Sequence, residues 1–399
     1  MPPGLFNGLG AGRLGAHRYR DFCMRRLVPF LLLSLVPACA GSPPQGRTPY
    51  QPSPAMMSVL EERQAMRAQE PADLPIAQAR EVPGLIEAAR ALPNVKGLPA
   101  PSTEVPQVRQ LVASGAEGAL FARLYRPALA KDTPIILYFV GGTWATGSLD
   151  AYEESARQLS ARTGWVVVSL RTRLAPESKF PAAHDDAFAL YQWARAHMRE
   201  WGADPTRVAL AGEGAGANLA LSTALQARDR ATAGQPVAVP DHLLLITPVT
   251  GTELNTTSMS ESGRSRPLSR STVDWAQWLY ARDNLDDPRI DILARNDFQQ
   301  MPPTTFVLAE IDPLRSGGEL LAAKFSAAGI PTEGRVFPGT THDFFGLGQQ
   351  VPEAAAAEDY AAARLKTAFF RPPMPVIAGP VRAQRSGQRS SQRPARHNR

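Results

Sequence analysis

The chain predicts an α/β fold built on a mostly parallel sheet with helices on both faces. Three observations carry that expectation. Short runs rich in Val, Ile, Leu and Phe, bounded by Gly, Pro and Asp, recur along the chain as strand candidates. Amphipathic segments of helical length alternate with them. The strand runs are almost continuously apolar rather than alternating, as strands buried on both faces are.

At the start, Met24-Arg25-Arg26 precedes a run of about ten apolar residues ending near Val36. That is far short of the roughly 20 a membrane helix needs. Residues 1–40 therefore read as a secretory signal, with Met24 as an alternative start. Val36-Pro37-Ala38-Cys39 resembles a bacterial lipobox, which would lipidate Cys39. Ala38-Cys39-Ala40 also fits the small-x-small pattern of an ordinary signal peptidase, which would leave a soluble protein from Gly41. Either route places the protein in the periplasm or bacterial envelope, with membrane attachment only through Cys39. The two cysteines are Cys23 and Cys39, so stability of the body must come from core packing rather than a disulfide. No Cys/His metal spacing occurs, and neither a metal nor a cofactor is expected.

Residues 41–55 are polar and Pro-rich, an extended linker. Helical patterns from Met56 to Leu92 are broken by prolines into short pieces, and 41–107 together read as linker and cap helices. Strands are predicted over 119–126, 134–139, 164–170, 207–211, 242–247, 304–309 and 332–337. Helices are predicted over 152–162, 183–201, 215–228, 273–281, 317–328 and 353–370. Residues 250–302 carry little strand signal and read as an insertion over the upper edge of the sheet. The sheet domain spans 108–371, and the Pro-, Ser-, Gln- and Arg-rich segment 372–399 reads as a disordered basic tail.

The net charge of +6 is unevenly placed: the first 26 residues carry +4 and the last 29 carry +7, leaving the stretch between them at −5. The basic balance thus belongs to the termini, and a nucleic-acid partner is not expected.

In such a sheet, chemistry sits outside the carboxyl ends of the strands. After 208–210 comes Gly212-Glu213-Gly214-Ala215-Gly216, a strand, glycine-rich turn and helix start with the build of a nucleophile elbow, Gly-x-Ser-x-Gly. The presented residue here is Gly214. After 134–139 comes Val140-Gly141-Gly142-Thr143-Trp144, after 304–309 comes Glu310-Ile311-Asp312-Pro313, and after Phe337 comes Thr341-His342-Asp343-Phe344-Phe345. Elbow, acid and histidine follow in that order. By spacing alone, Asp312 also reads as a helix cap and His342 as an ordinary loop histidine.

These motifs, with Arg123-Leu124-Tyr125-Arg126-Pro127, Gly147-Ser148, Arg173-Leu174-Ala175-Pro176-Glu177 and Phe180-Pro181-Ala182-Ala183, resemble the hormone-sensitive-lipase-like carboxylesterases and acetylesterases of the α/β-hydrolase fold over residues 108 to 370. The resemblance implies an α/β-hydrolase sheet with a small cap from the N-terminal helices and the 250–302 insertion. It implies Asp312 as triad acid, His342 as triad base, and the N–H groups of Gly141, Gly142 and Ala215 as oxyanion hole. The Arg173–Glu177 stretch is expected to pack under the site.

Two loops depart from the family pattern. Its His-Gly-Gly-Gly reads Val140-Gly141-Gly142-Thr143, and Gly214 stands at the vacant nucleophile position. Without a hydroxyl there, no acyl-enzyme forms at the elbow. The expectation is an ester-hydrolase homologue impaired in catalysis that keeps a pocket for a small acyl or ester ligand. The alternative is a working hydrolase in which Asp312 and His342 activate a water, or a relocated hydroxyl such as Thr143 or Ser222 attacks. A third reading, an interaction module acting through the basic tail, rests on the seven arginines from Arg371 onward alone.

Overall fold

The computed structural model describes residues 50–92 and 102–370. The predicted signal segment, Cys39, the basic tail 372–399 and residues 93–101 of the cap lie outside the described residues.

Eight strands form one sheet: β1 (Gln107–Gly115), β2 (Gly118–Arg126), β3 (Thr133–Phe139), β4 (Val166–Leu170), β5 (Ala203–Glu213), β6 (His242–Ile246), β7 (Thr304–Ile311) and β8 (Thr332–Thr341). Their order is β1-β2-β4-β3-β5-β6-β7-β8. β1 and β2 form an antiparallel hairpin, β2 runs antiparallel to β4, and every other pair is parallel.

The helices are α1 (Pro54–Ala65), α2 (Ile76–Ala79), α3 (Leu85–Ala91), α4 (Glu153–Thr163), α5 (Ala182–His197), α6 (Ala215–Thr232), α7 (Thr257–Ser262), α8 (Arg270–Ala281), α9 (Arg315–Ala327) and α10 (Pro352–Ala368). Alternation along the central strands explains why both sheet faces are covered. Ile135, Leu137 and Phe139 of β3 pack with Phe188 of α5, Leu221 of α6 and Phe325 of α9. Ile136 and Tyr138 face the other way, into a second cluster with Leu159 of α4, Leu365 of α10, Met56 of α1 and Leu85 of α3. Truncating a fully buried member such as Leu210 to alanine costs about 2–5 kcal/mol.

Several boundaries differ from expectation, each for a local reason. β1 gave no apolar run because it is an edge strand with most residues exposed; Gly115 pairs with Gly118 across a two-residue turn. The predicted strand 164–170 starts only at Val166, because Gly164 at φ 78° caps α4. β8 runs to Thr341 rather than 337, since pairing with β7 resumes after an irregularity, at Ile311 and Thr341. As an edge strand it tolerates Pro338. The predicted helix 183–201 ends at His197 and tightens into a 3₁₀ turn at Met198–Trp201. The cap pattern from 56 to 92 resolves into α1, α2 and α3 with a 3₁₀ turn at Pro71–Asp73, each piece opening on or next to a proline or glycine.

Candidate active site

β5 delivers the chain to Gly214, which turns at φ 52° and ψ −117° into α6. That backbone region is costly for any residue with a side chain. The turn is pinned from both sides. Gly214 N–H donates to Ile246 O at 3.0 Å, and Gly214 O accepts from Val249 N–H at 3.1 Å. The flanking glycines are required by contact: a Cβ on Gly212 would lie 2.4 Å from the Gly216 carbonyl, and one on Gly216 would lie 2.2 Å from Phe139 O. The elbow is therefore formed in full, with no side chain at its apex.

A Cβ placed on Gly214 would come 3.2 Å from His342 Nε2. His342 Nδ1 lies 2.9 Å from Asp312 Oδ2, and Asp312 Oδ1 accepts from Leu314 N–H at 2.8 Å. Asp312 thus contacts both the imidazole and the backbone of the turn that follows it. On the other ring nitrogen, Asp343 Oδ1 stands 3.7 Å from Nε2 and accepts from Tyr152 Oη–H at 3.0 Å. Burial opposes charge on His342, but Asp312 and then Asp343 outweigh it and raise the imidazole to about 9. Beneath the elbow, Glu213 is sealed in and accepts from Tyr138 Oη–H. Burial pushes its carboxyl up to about 8.

These groups border a cavity of about 650 Å³ whose wall includes Gly142, Thr143, Gly214, Ala215 and His342. α8 and the segment from Arg63 to Glu87 also contribute, so cap and insertion both reach it. Of the expected oxyanion residues, Gly142 and Ala215 border this cavity and Gly141 is not among its lining residues. It lies behind, where a Cβ would meet the Tyr152 ring at 2.6 Å. Thr143 (φ 59°) and Trp144 (φ 57°) hold left-handed backbone in succession, a strained stretch for side-chain-bearing residues. Thr143 Oγ1 is engaged with Thr146 Oγ1 at 3.0 Å. Ser222 is buried within α6 and does not border the cavity, which removes it as a relocated nucleophile.

The loop 173–177 is more than padding. Arg173 is clamped on Asp186, but Leu174 reaches the cavity wall and Glu177 holds Arg80 of the cap. Sequence reasoning missed Arg80, Tyr152, Arg171 and Asp343 at the site. Asp343 adjoins a motif residue and Arg171 follows directly on β4, whereas Arg80 and Tyr152 leave no local signal.

A family model described as the alpha/beta hydrolase fold matches residues 136–346. The chain is 34% identical over 281 residues to the carboxylic ester hydrolase LipN of Mycobacterium tuberculosis, covering 69% of this chain and 74% of that protein. It is 32% identical over 293 residues to carboxylesterase NlhH of the same organism, covering 71% and 90%. Among solved structures it matches a Pyrobaculum calidifontis esterase at 30% identity and TM-score 0.69, covering 79% and 98%. It also matches an ester hydrolase from the metagenome of Lake Arreo at 28% identity and TM-score 0.71, covering 80% and 99%. An elbow, a buried Asp–His pair and a cavity at the carboxyl ends of a parallel sheet thus coincide with kinship over most of the chain, which belongs to the hormone-sensitive-lipase-like carboxylesterase family of the α/β-hydrolase fold.

Proposed function

We propose that this protein is an exported ester-hydrolase homologue that keeps the family's acyl or ester pocket and is impaired in catalysis. The observation that carries the reading is Gly214 at the apex of an otherwise complete elbow, opposite His342. Acyl transfer needs an oxygen there to attack the carbonyl carbon and to hold the acyl group. Loss of the nucleophile alone costs on the order of 10⁶ in kcat in the subtilisin case.

The alternative through activated water is disfavoured by the same site. A general base works on a group held within hydrogen-bond reach, and with Gly214 at the apex no side chain fixes a hydroxyl beside His342 Nε2. Thr143, the hydroxyl candidate left on the wall, is tied to Thr146.

The test is covalent. The purified chain is treated with a fluorophosphonate and read by intact-mass spectrometry, alongside turnover of short-chain p-nitrophenyl esters. No adduct and no turnover above the solvent rate are expected. A stoichiometric adduct on the unmodified chain, or ordinary esterase turnover, overturns the reading.

A further inference from the structure

The cavity wall carries three arginines, Arg63, Arg80 and Arg171, and they are not equivalent. Arg80 is fully used: Nε donates to Ala145 O at 2.9 Å, Nη2 to Ala175 O at 2.8 Å, and Nη1 to Glu177 at 2.9 Å. Arg63 donates to Pro83 O at 2.8 Å; burial and Arg266 make its charge harder to hold, but Asp343, Glu70 and Glu87 offset them in part. Arg171 has neither kind of support. It is half-buried, and its guanidinium makes no hydrogen bond or ion pair among the described residues. Its Nε is closed off from solvent with no acceptor. Burial, and after it the neighbouring Arg80 cation, make its charge harder to hold, and no carboxylate of the described residues offsets them.

The acids on the same wall do not supply the missing partner. Asp150 pairs with Arg123 at 2.7 Å, Glu87 accepts from Gly84 N–H, Asp343 accepts from Tyr152, and Glu81 is exposed to water. A part-buried cation left unpaired is costly, and a planar guanidinium fork matches a carboxylate. The same cavity also carries apolar side chains, among them Trp144, Leu174, Val249 and Val273.

We propose that Arg171 is the anion-recognising residue of this cavity, and that the occupant is an amphipathic organic acid whose carboxylate seats on Arg171. The inference rests on the acyl-pocket reading above and narrows its ligand class. It assigns Arg171 to binding and gives it no part in bond-making.

Octanoate and its neutral isostere octanamide separate charge from shape. Isothermal titration of the full chain should show octanoate binding more tightly than octanamide, a preference that shrinks as NaCl screens it. Arg171→Gln should weaken octanoate by about ten- to a hundredfold and leave octanamide within about twofold. Arg171→Lys should keep part of the preference, since it keeps charge without the fork. If both ligands bind the wild type alike, or Arg171→Gln weakens both equally, the anion assignment is overturned while the acyl pocket stands. If neither ligand binds, both the assignment and the pocket reading fall. Should Arg171→Gln fail to fold, the salt dependence of the wild-type preference decides: a preference that does not change with salt rejects the role.

Discussion

Gly214 and His342 face each other across the space that a nucleophile's side chain would fill, with 3.2 Å between an ideal Cβ on Gly214 and His342 Nε2. The histidine is oriented toward that position by Asp312, so the site lacks one side chain rather than its geometry.

Restoring a hydroxyl should therefore restore chemistry at a structural cost. Gly214→Ser is expected to gain a fluorophosphonate adduct and to raise p-nitrophenyl ester turnover about 10³-fold or more. Gly214→Ala should gain neither. Both should lose about 1–3 kcal/mol of stability, because φ 52° disfavours a Cβ and His342 must yield a few tenths of an ångström. Intact-mass labelling and urea denaturation of the two variants read the outcome. Equal labelling of the serine and alanine variants would refute it.

The buried titrating groups set a pH window for stability. His342 holds its proton up to about 9 in the folded chain against 6.5 unfolded, and Glu213 up to about 8 against 4.5. Glu358, raised by burial to about 7, acts in the same direction. Each stabilises the fold most fully below its unfolded value, and that contribution fades as pH rises through its folded value. His184 and His242, both lowered to about 4 by burial, act oppositely, losing stability as pH falls below 6.5. The two sets oppose each other below 6.5. Above it the surviving shifts all point one way, so the melting temperature should decline from about pH 6.5 to 9. His342→Gln should flatten that decline, and a Tm constant across the window in the wild type would contradict the assignment.

Gly216 is held by contact with the neighbouring strand. Gly216→Ala puts a methyl 2.2 Å from Phe139 O and 2.5 Å from Val140 O, and neither backbone atom can rotate away. A loss of about 3 kcal/mol or more is expected, read as a shift in urea midpoint. Wild-type stability in this variant would mean α6 sits farther from β3 than described.

Arg80 fastens the cap to the sheet domain through two carbonyls and Glu177. The exposed Glu177 pairing contributes little, while the two carbonyl bonds lose their donor in Arg80→Ala. The cost should be about 1–3 kcal/mol, felt locally as faster amide hydrogen exchange over 76–91. Unchanged exchange there would show that the cap is held by other contacts.

Much of this architecture is legible in the sequence. β3, β4 and β6 are almost continuously apolar because both faces are buried, and period and composition report that directly. The elbow glycines were legible because their spacing encodes a contact between α6 and β3. β1 was not, since an edge strand with an exposed face carries no apolar signature. The retreat of Gly141 behind Gly142 was not either, because it depends on the ring of Tyr152 lying against it.

The sequence by itself determined the fold family, the order elbow, acid, histidine, and the missing hydroxyl, since each is a matter of which residue occupies a local position. Only tertiary structure decided that Asp343 and Tyr152 crowd the free edge of His342, that Ser222 is out of reach, and that Arg171 lines the cavity with no acid paired to it among the described residues. The physical reason is that charge and packing are set by neighbours in space. Those neighbours come from strands and cap helices far apart along the chain.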